Sequence, residues 1–214
     1  VVINETEINK KAKELLEVLI NGSAGESKIP NGFKAIIPSG TSINSIVFND
    51  GILKVDFSKE LLDIKESLEE KMIEAIVFTL TSIEEIDKVI IYVEGNILTK
   101  LPKTKINLPS VLDRSYGINK EYDLKNTSNI QGVTTYYVSK YNDNTYYVPV
   151  TKYTNDSRDK INVIVENLSS SHIYNSNLMS YLNNNAKLLS VEQSVDSLDL
   201  VFNSYIFSNI EEKN

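Results

Sequence analysis

The sequence predicts an α+β protein made of two similar small modules, each following the plan hairpin, helix, strands, helix, strand. Three observations carry that expectation. Apolar residues fall at helical spacing in some windows and alternate with polar ones in others, so one 214-residue chain holds both element types. Residues 51–61 and 196–206 each hold a strand ending in Phe and a small polar residue, Phe57-Ser58 and Phe202-Asn203, 145 positions apart. An amphipathic helix precedes each copy, ending at Leu19 in the first and Leu168 in the second. A unit written twice favours an arrayed or scaffolding protein over a single-site enzyme.

The first helix is expected over residues 6–20, where Ile8, Ala12, Leu15, Leu16 and Leu19 share a face. Asn21-Gly22 ends it, because both residues accept positive φ. A short strand is expected over 33–37, before the Pro38-Ser39-Gly40 turn. Residues 45–48 and 52–57 make a hairpin through Asn49-Asp50-Gly51. A helix follows over 60–81. Its firm part starts at Ser67, with Glu70 at capping-box spacing. Leu68, Met72, Ala75, Ile76, Thr79 and Leu80 form its expected buried face. The apolar run 87–94 predicts a strand covered on both faces.

Residues 100–132 are polar and punctuated by Pro102, Pro109, Gly117 and Gly132. They read as a connector with some packing through Leu112, Tyr116 and Ile118. The second module opens with a hairpin of 133–141 and 146–153, closed by Asn142-Asp143-Asn144. Its helix runs over 157–168, with Asn155 or Asp156 as N-cap and Ile161, Ile164, Val165 and Leu168 inward. The Ser/Asn-rich stretch 169–186 is expected as a loop with a short helix near 178–182, and 187–191 and 198–202 are strands. The two copies look cut at opposite ends. The first lacks the opening hairpin; the second lacks the closing helix and strand. The expected division is therefore a first module at 1–101, a connector at 102–132 and a second module at 133–214.

Composition narrows the function. The chain is 41% hydrophobic, enough to build a core. Its net charge of −7 disfavours nucleic acid and anionic lipid as partners. It has no cysteine and one histidine, so thiolate metal sites, disulfides and a Cys nucleophile are excluded. No run reaches the roughly 18–20 apolar residues of a membrane span. The sequence starts Val-Val-Ile rather than with methionine, so a leader or anchor segment is expected to have been trimmed.

Four stretches resemble the GerMN domain, the repeated module of the GerM-type sporulation and germination proteins of spore-forming Firmicutes. Tyr146-Tyr-Val-Pro-Val-Thr151 is similar to its opening strand, and Gly51-Ile-Leu-Lys-Val-Asp-Phe-Ser58 to its central strand and cap. Thr79-Leu-Thr81 with Ile86-Asp-Lys-Val-Ile-Ile-Tyr-Val-Glu-Gly95 resembles its helix end and last strand, and Ile36-Ile-Pro-Ser-Gly-Thr41 its central turn. The second copy departs from the pattern, with Val201-Phe-Asn203 in place of Asp-Phe-Ser. The resemblance implies a small α+β module related to the ring-building-motif domains of secretion and sporulation complexes. It also implies an extracytoplasmic, lipid-anchored protein at the envelope around the developing spore. It carries no catalytic residue onto this sequence.

The candidate sites are few. His172 lies in a Ser/Asn-rich loop with no partner visible in the sequence, so a solvated histidine is the simplest reading. Asp56 shares a strand face with Lys54, opposite Val55 and Phe57, and Ser58 is expected to cap the following helix. The acidic segment 59–71 reads as a solvated helical face. The richest cluster is aromatic: Tyr136, Tyr137, Tyr141, Tyr146, Tyr147 and Tyr153. Cross-strand pairing accounts for it most simply. If it docks a partner, Tyr136, Tyr137, Tyr146 and Tyr147 are the candidate contacts. No catalytic group, cofactor site or metal site is expected.

Three functional readings follow. The leading one is a non-catalytic scaffold that docks other envelope or sporulation-complex proteins through sheet edges or the tyrosine hairpin, with homo-oligomers possible. On that reading a membrane is reached only through an N-terminal lipid anchor absent from this chain. The second is a cell-wall or carbohydrate-binding module using the tyrosines. The third is an enzyme built on Asp56 or another carboxylate, which needs acids clustered in a deep pocket.

Overall fold

Asp50 and Gly51 sit at φ of 50° and 75°, the left-handed pair that a two-residue hairpin turn requires. In the computed structural model, which describes residues 5–170 and 178–207, they join β1 (Ile43–Asn49) to β2 (Ile52–Phe57). These strands belong to the first of two units, which meet between Ile118 and Asn119. The first unit also holds α1 (Ile8–Leu19), α2 (Glu69–Leu80), β3 (Lys88–Val93) and β4 (Asn96–Ile97). Its sheet runs β1-β2-β3-β4, with β2 and β3 parallel and joined through α2.

Leu53, Val55 and Phe57 pair with Val89, Ile91 and Val93 on one buried face, and Ala12, Leu16, Met72, Ile73, Ile76 and Leu80 join the same core. The expected run of β3 therefore resolves into alternation: Val89, Ile91 and Val93 are buried, whereas Ile90 and Tyr92 are half-buried beside Lys54 and Asp56. The N–H of Phe48 on edge strand β1 donates to Asn9 Oδ1 of α1 at 3.0 Å.

Several local expectations are corrected. Residues 33–36 form no strand; Ile37 alone makes a bridge, to Ile20, and the N–H groups of Ile36 and Ile37 both donate to the Leu19 carbonyl. The segment thus satisfies the end of α1 instead of extending the sheet. The helix expected from residue 60 starts at Glu69, after 3-10 turns at Lys59–Asp63 and Glu66–Leu68. Leu68, not Ser67, precedes it, and no side chain caps it. Ile73 and Val77 are buried, while Ala75 and Thr79 are only half-buried, because α2 is covered on more than one side.

Glu69, the first residue of α2, is tied to a distant segment. Its buried carboxylate accepts the N–H of Lys103 at 2.6 Å, the N–H of Thr104 at 3.1 Å and the Thr104 hydroxyl. This pins the segment after β4 to the first turn of α2. Leu101, Leu108 and Leu112 join the core, and Leu112 bridges Val89. Of the segment expected as a connector, the part up to Ile118 packs in the first unit and the part from Asn119 in the second.

The second unit holds β5 (Glu121–Asp123), β6 (Gln131–Tyr141), β7 (Asn144–Thr154), α3 (Lys160–Ser169), β8 (Leu178–Met179), β9 (Leu188–Gln193) and β10 (Leu198–Phe202). One sheet runs β5-β7-β6-β8; β9 and β10 form a separate hairpin. Asn142 takes φ 50° at the tip of the long hairpin, and Tyr141 pairs with Asn144. Asp159, not Asn155 or Asp156, caps α3 by accepting the Ile161 N–H at 2.8 Å. Asn155 instead accepts from Lys125 and Asn126 and donates to the Ser128 carbonyl, tying down the loop before β6. Val163, Val165 and Asn167 are the buried positions of α3; of the expected stripe Val165 is buried, and Ile161, Ile164 and Leu168 are half-buried. Leu178 and Met179 pair with Ser139 and Val138, so strand replaces the expected short helix there.

The repeat holds to the level of single hydrogen bonds. Ile43 pairs with Phe57, Asn44 is bulged out, and Ser45 pairs with Asp56. At an offset of 145, Leu188 pairs with Phe202, Leu189 is bulged, and Ser190 pairs with Val201. Ser58 does not cap a helix. Its Oγ accepts the Ser42 N–H, while its own N–H donates to the Ser42 carbonyl, both at 2.9 Å. Asn203 does the same with Lys187: its Oδ1 accepts the Lys187 N–H and its N–H donates to the Lys187 carbonyl, both at 3.1 Å.

Candidate functional site

Antiparallel register assigns each tyrosine of the long hairpin to a face, because directly paired residues point the same way. Tyr137 pairs with Val148 and Ser139 with Tyr146, so Tyr137 and Tyr146 share one face with Val133, Thr135 and Val150. Tyr136 pairs with Pro149 and Val138 with Tyr147, so Tyr136 and Tyr147 share the other. The four candidate residues are thus divided two and two.

The face of Tyr137 is internal. Its hydroxyl donates to the Asn167 carbonyl of α3 at 3.5 Å, and the Asn167 amide donates to Thr135 Oγ1 at 3.3 Å. Burial, with a contribution from the Glu121 charge, pushes the phenol up to about 12, so it stays protonated. Tyr137 joins sheet to helix and is not available to a partner. Tyr146 is half-buried on the same side.

The opposite face is nearly uncharged and partly exposed, with Val138 and Thr151 buried within it. Tyr136 and Tyr147 are 48% and 71% exposed. Of the ten positions that β6 and β7 place there, from Gly132 to Lys140 and from Thr145 to Tyr153, Lys140 alone carries charge. Thr134 and Thr151 share a hydroxyl hydrogen bond of 2.9 Å. Tyr153 lies over Gly132, where an added Cβ would stand 3.0 Å from its ring. Tyr122, on β5, stacks on Tyr153 at 5.4 Å between centroids and 14° between planes. Met179 completes the face on β8 and is exposed. Sequence reading missed Tyr122 and Met179, because β5 lay in the expected connector and β8 in an expected helix. Counting parity outward from the Asn142-Asp143 turn is the signal that separates the tyrosines.

The other candidates build no site among the described residues. Asp56 accepts the Gly95 N–H at 3.0 Å and closes the turn after β3. His172 lies outside the described residues. A groove of about 580 Å³ lies between α3 and the start of β9, lined in part by Arg158, Glu166, Ser169 and Leu188. Within it Arg158 binds both Asp156 and Glu166, and its hydrogen bonds draw the Asp156 carboxyl down to about 2. Among the described residues, no group of three or more His, Asp or Glu could hold a metal ion, and no helix is long and apolar enough to cross a membrane.

The fold and its surfaces define the class: a two-unit α+β protein with a duplicated bulged hairpin, whose most developed surface is an aromatic sheet face. Residues 1–99 match the family described as Germane, sporulation and spore germination. The chain is 33% identical over 205 residues to the spore germination protein GerM of Bacillus subtilis (strain 168), covering 94% of this chain and 56% of that protein. It is also similar to the solved structure of the tandem GerMN domains of the sporulation protein GerM from Bacillus subtilis. There the TM-score is 0.88 at 30% identity, covering 97% of this chain and 74% of the other. The chain belongs to the GerM family of sporulation and germination proteins and carries tandem GerMN domains. It spans little more than half the length of the curated relative it matches.

Proposed function

We propose that this chain is a non-catalytic, extracytoplasmic scaffold that acts in sporulation or germination by docking envelope proteins through the outer face of its second sheet. The observation that carries this reading is the uncharged aromatic surface of Tyr122, Tyr136, Tyr147, Tyr153 and Met179 in a chain of net charge −7. Exposed tyrosines bury large area at low entropic cost, and contacts depleted in charge are typical of the centre of a protein interface. An anchor outside this chain would hold it at the membrane.

The test is the double variant Tyr136→Ser/Tyr147→Ser in a spore former lacking the native gene. In vivo crosslinking should lose a specific protein partner, and sporulation or germination should fail, while the purified variant keeps its melting temperature. Normal spores with unchanged crosslinks would remove the reading. If peptidoglycan fragments at millimolar concentration perturb tyrosine fluorescence of the native chain but not of the variant, the face binds cell wall instead.

A further inference from the structure

Each unit carries a groove, and the two grooves hold the same place in the repeat. The groove of about 580 Å³ beside α3 has a counterpart of about 550 Å³ beside α1. Their helix walls correspond at an offset of 149, with Lys13 and Glu17 in the first and Asn162 and Glu166 in the second. Their strand walls correspond at 145, with Thr41 and Ile43 in the first and Ala186 and Leu188 in the second. The turn that enters the strand repeats too: the Thr41 N–H donates to the Pro38 carbonyl at 3.3 Å, and the Ala186 N–H to the Asn183 carbonyl at 2.8 Å. A hollow left by accidental packing has no reason to recur at one register in two dissimilar stretches of sequence.

The strand wall of each groove is an open edge. Ser58 and Asn203 occupy the N–H and C=O of Ser42 and Lys187. Ladder bonds alternate along an antiparallel strand, so the next residues, Ile43 and Leu188, turn their N–H and C=O away from β2 and β10. Beyond the bulge the same parity sends the Phe48 N–H outward, and there Asn9 accepts it. Among the described residues β1 pairs with β2 alone and β9 with β10 alone, and the N–H groups of Ile43 and Leu188 have no hydrogen-bond partner.

We propose that each groove receives an extended segment of a partner protein, added as a strand to the outer edge of β1 and of β9 and carrying a basic side chain toward Glu17 and Glu166. The edge selects the extended form, because one guest residue set against Ile43 or Leu188 exchanges two backbone hydrogen bonds with it. Charge selects the side chain. Both helix walls hold a glutamate at the same position, and Glu17 and Glu166 expose 46% and 59% of their side chains. Lys13 Nζ stands 4.0 Å from Glu17 Oε1, beyond hydrogen-bond reach, so Glu17 has room for a second cation. The net charge of −7 adds an attractive field for a cationic guest. In the second groove Arg158 already shares Glu166, and Lys187 lines the wall, so the first groove binds more tightly. The tyrosine face lies on a separate sheet, and the grooves act independently of it.

The probe is the blocked pentapeptide acetyl-Val-Lys-Val-Lys-Val-amide, titrated to millimolar concentration into the isotope-labelled native chain and followed by NMR. The Ile43 and Leu188 amides should shift and exchange at least about tenfold more slowly, Ile43 responding at the lower concentration. Placing proline at the centre of the peptide should abolish both responses, because it removes the N–H and the extended pairing. Glu17→Gln should weaken the Ile43 response at least about fivefold and leave the Leu188 response and the melting temperature unchanged. Tyr136→Ser/Tyr147→Ser should leave both responses intact. No response at Ile43, a response there without one at Leu188, or equal binding of the proline peptide overturns the proposal. So does equal binding of a peptide with glutamate in place of lysine. Shifts of Ile43 and Leu188 that grow with chain concentration in the absence of peptide overturn it as well, since a second copy is then the occupant.

Discussion

Glu69 illustrates how one buried side chain can hold two distant segments together. Burial alone would raise its pKa, yet the Thr104 hydroxyl, the N–H groups of Lys103 and Thr104 and the Lys105 charge together hold it below 4.5. A folded-state pKa below the unfolded one means full stabilisation above about pH 4.5 and its loss as pH falls through the folded value. Glu69→Gln should therefore lose about 2 kcal/mol at pH 7 in urea unfolding, because its NH₂ faces donors, and should flatten the acid limb of the stability profile. Spacing rules mistook this residue for part of a solvated helical surface, since its partners lie 34 and 35 positions away. Ser58 and Asn203 teach the complementary lesson. Sequence comparison treats Asn for Ser as a departure from the repeat, but both supply an acceptor to an amide and an N–H to a carbonyl across the bulge. Ser58→Ala and Asn203→Ala should each cost about 1 kcal/mol, and Asn203→Ser less, by denaturant unfolding.

Among the elements, the paired strands were the most legible. The first short hairpin and the long one emerge from alternation and turn residues, because these signals are local, while 187–191 and 198–202 were read as strands without their pairing. The edges of the fold were not: β5 and β8 pair over three and two residues, too short for a period to register. The tyrosine cluster was visible as composition, but its division into two faces depends on register. That division makes a sharp expectation. Tyr137→Phe should lower stability through its lost contact to Asn167 without changing partner crosslinks, whereas Tyr147→Ser should do the reverse, as thermal unfolding and crosslinking would report. The Arg158 cluster beside α3 adds a pH signature. Asp156 has its pKa lowered from 3.8 to about 2, so its contribution is complete above about pH 4 and fades toward pH 2. Arg158→Ala should raise the Asp156 carboxyl resonance toward its ordinary midpoint in an NMR titration.

For the molecule as a whole, duplication was readable at low identity because a bulged hairpin constrains few residue types and many positions. Burial across the copies was not readable, since Leu53 and Leu198 are the same residue in the same register with opposite solvent exposure. Leu53 shares a core with α1, α2 and the neighbouring β3, whereas among the described residues β10 pairs with β9 alone. The opposite border of the first sheet carries its own safeguard. Asn9 spends its side-chain carbonyl on the Phe48 amide, the kind of group through which β-rich proteins stack into fibres. With that oxygen in place, one amide of the border strand is already paired within the molecule and closed to a passing strand.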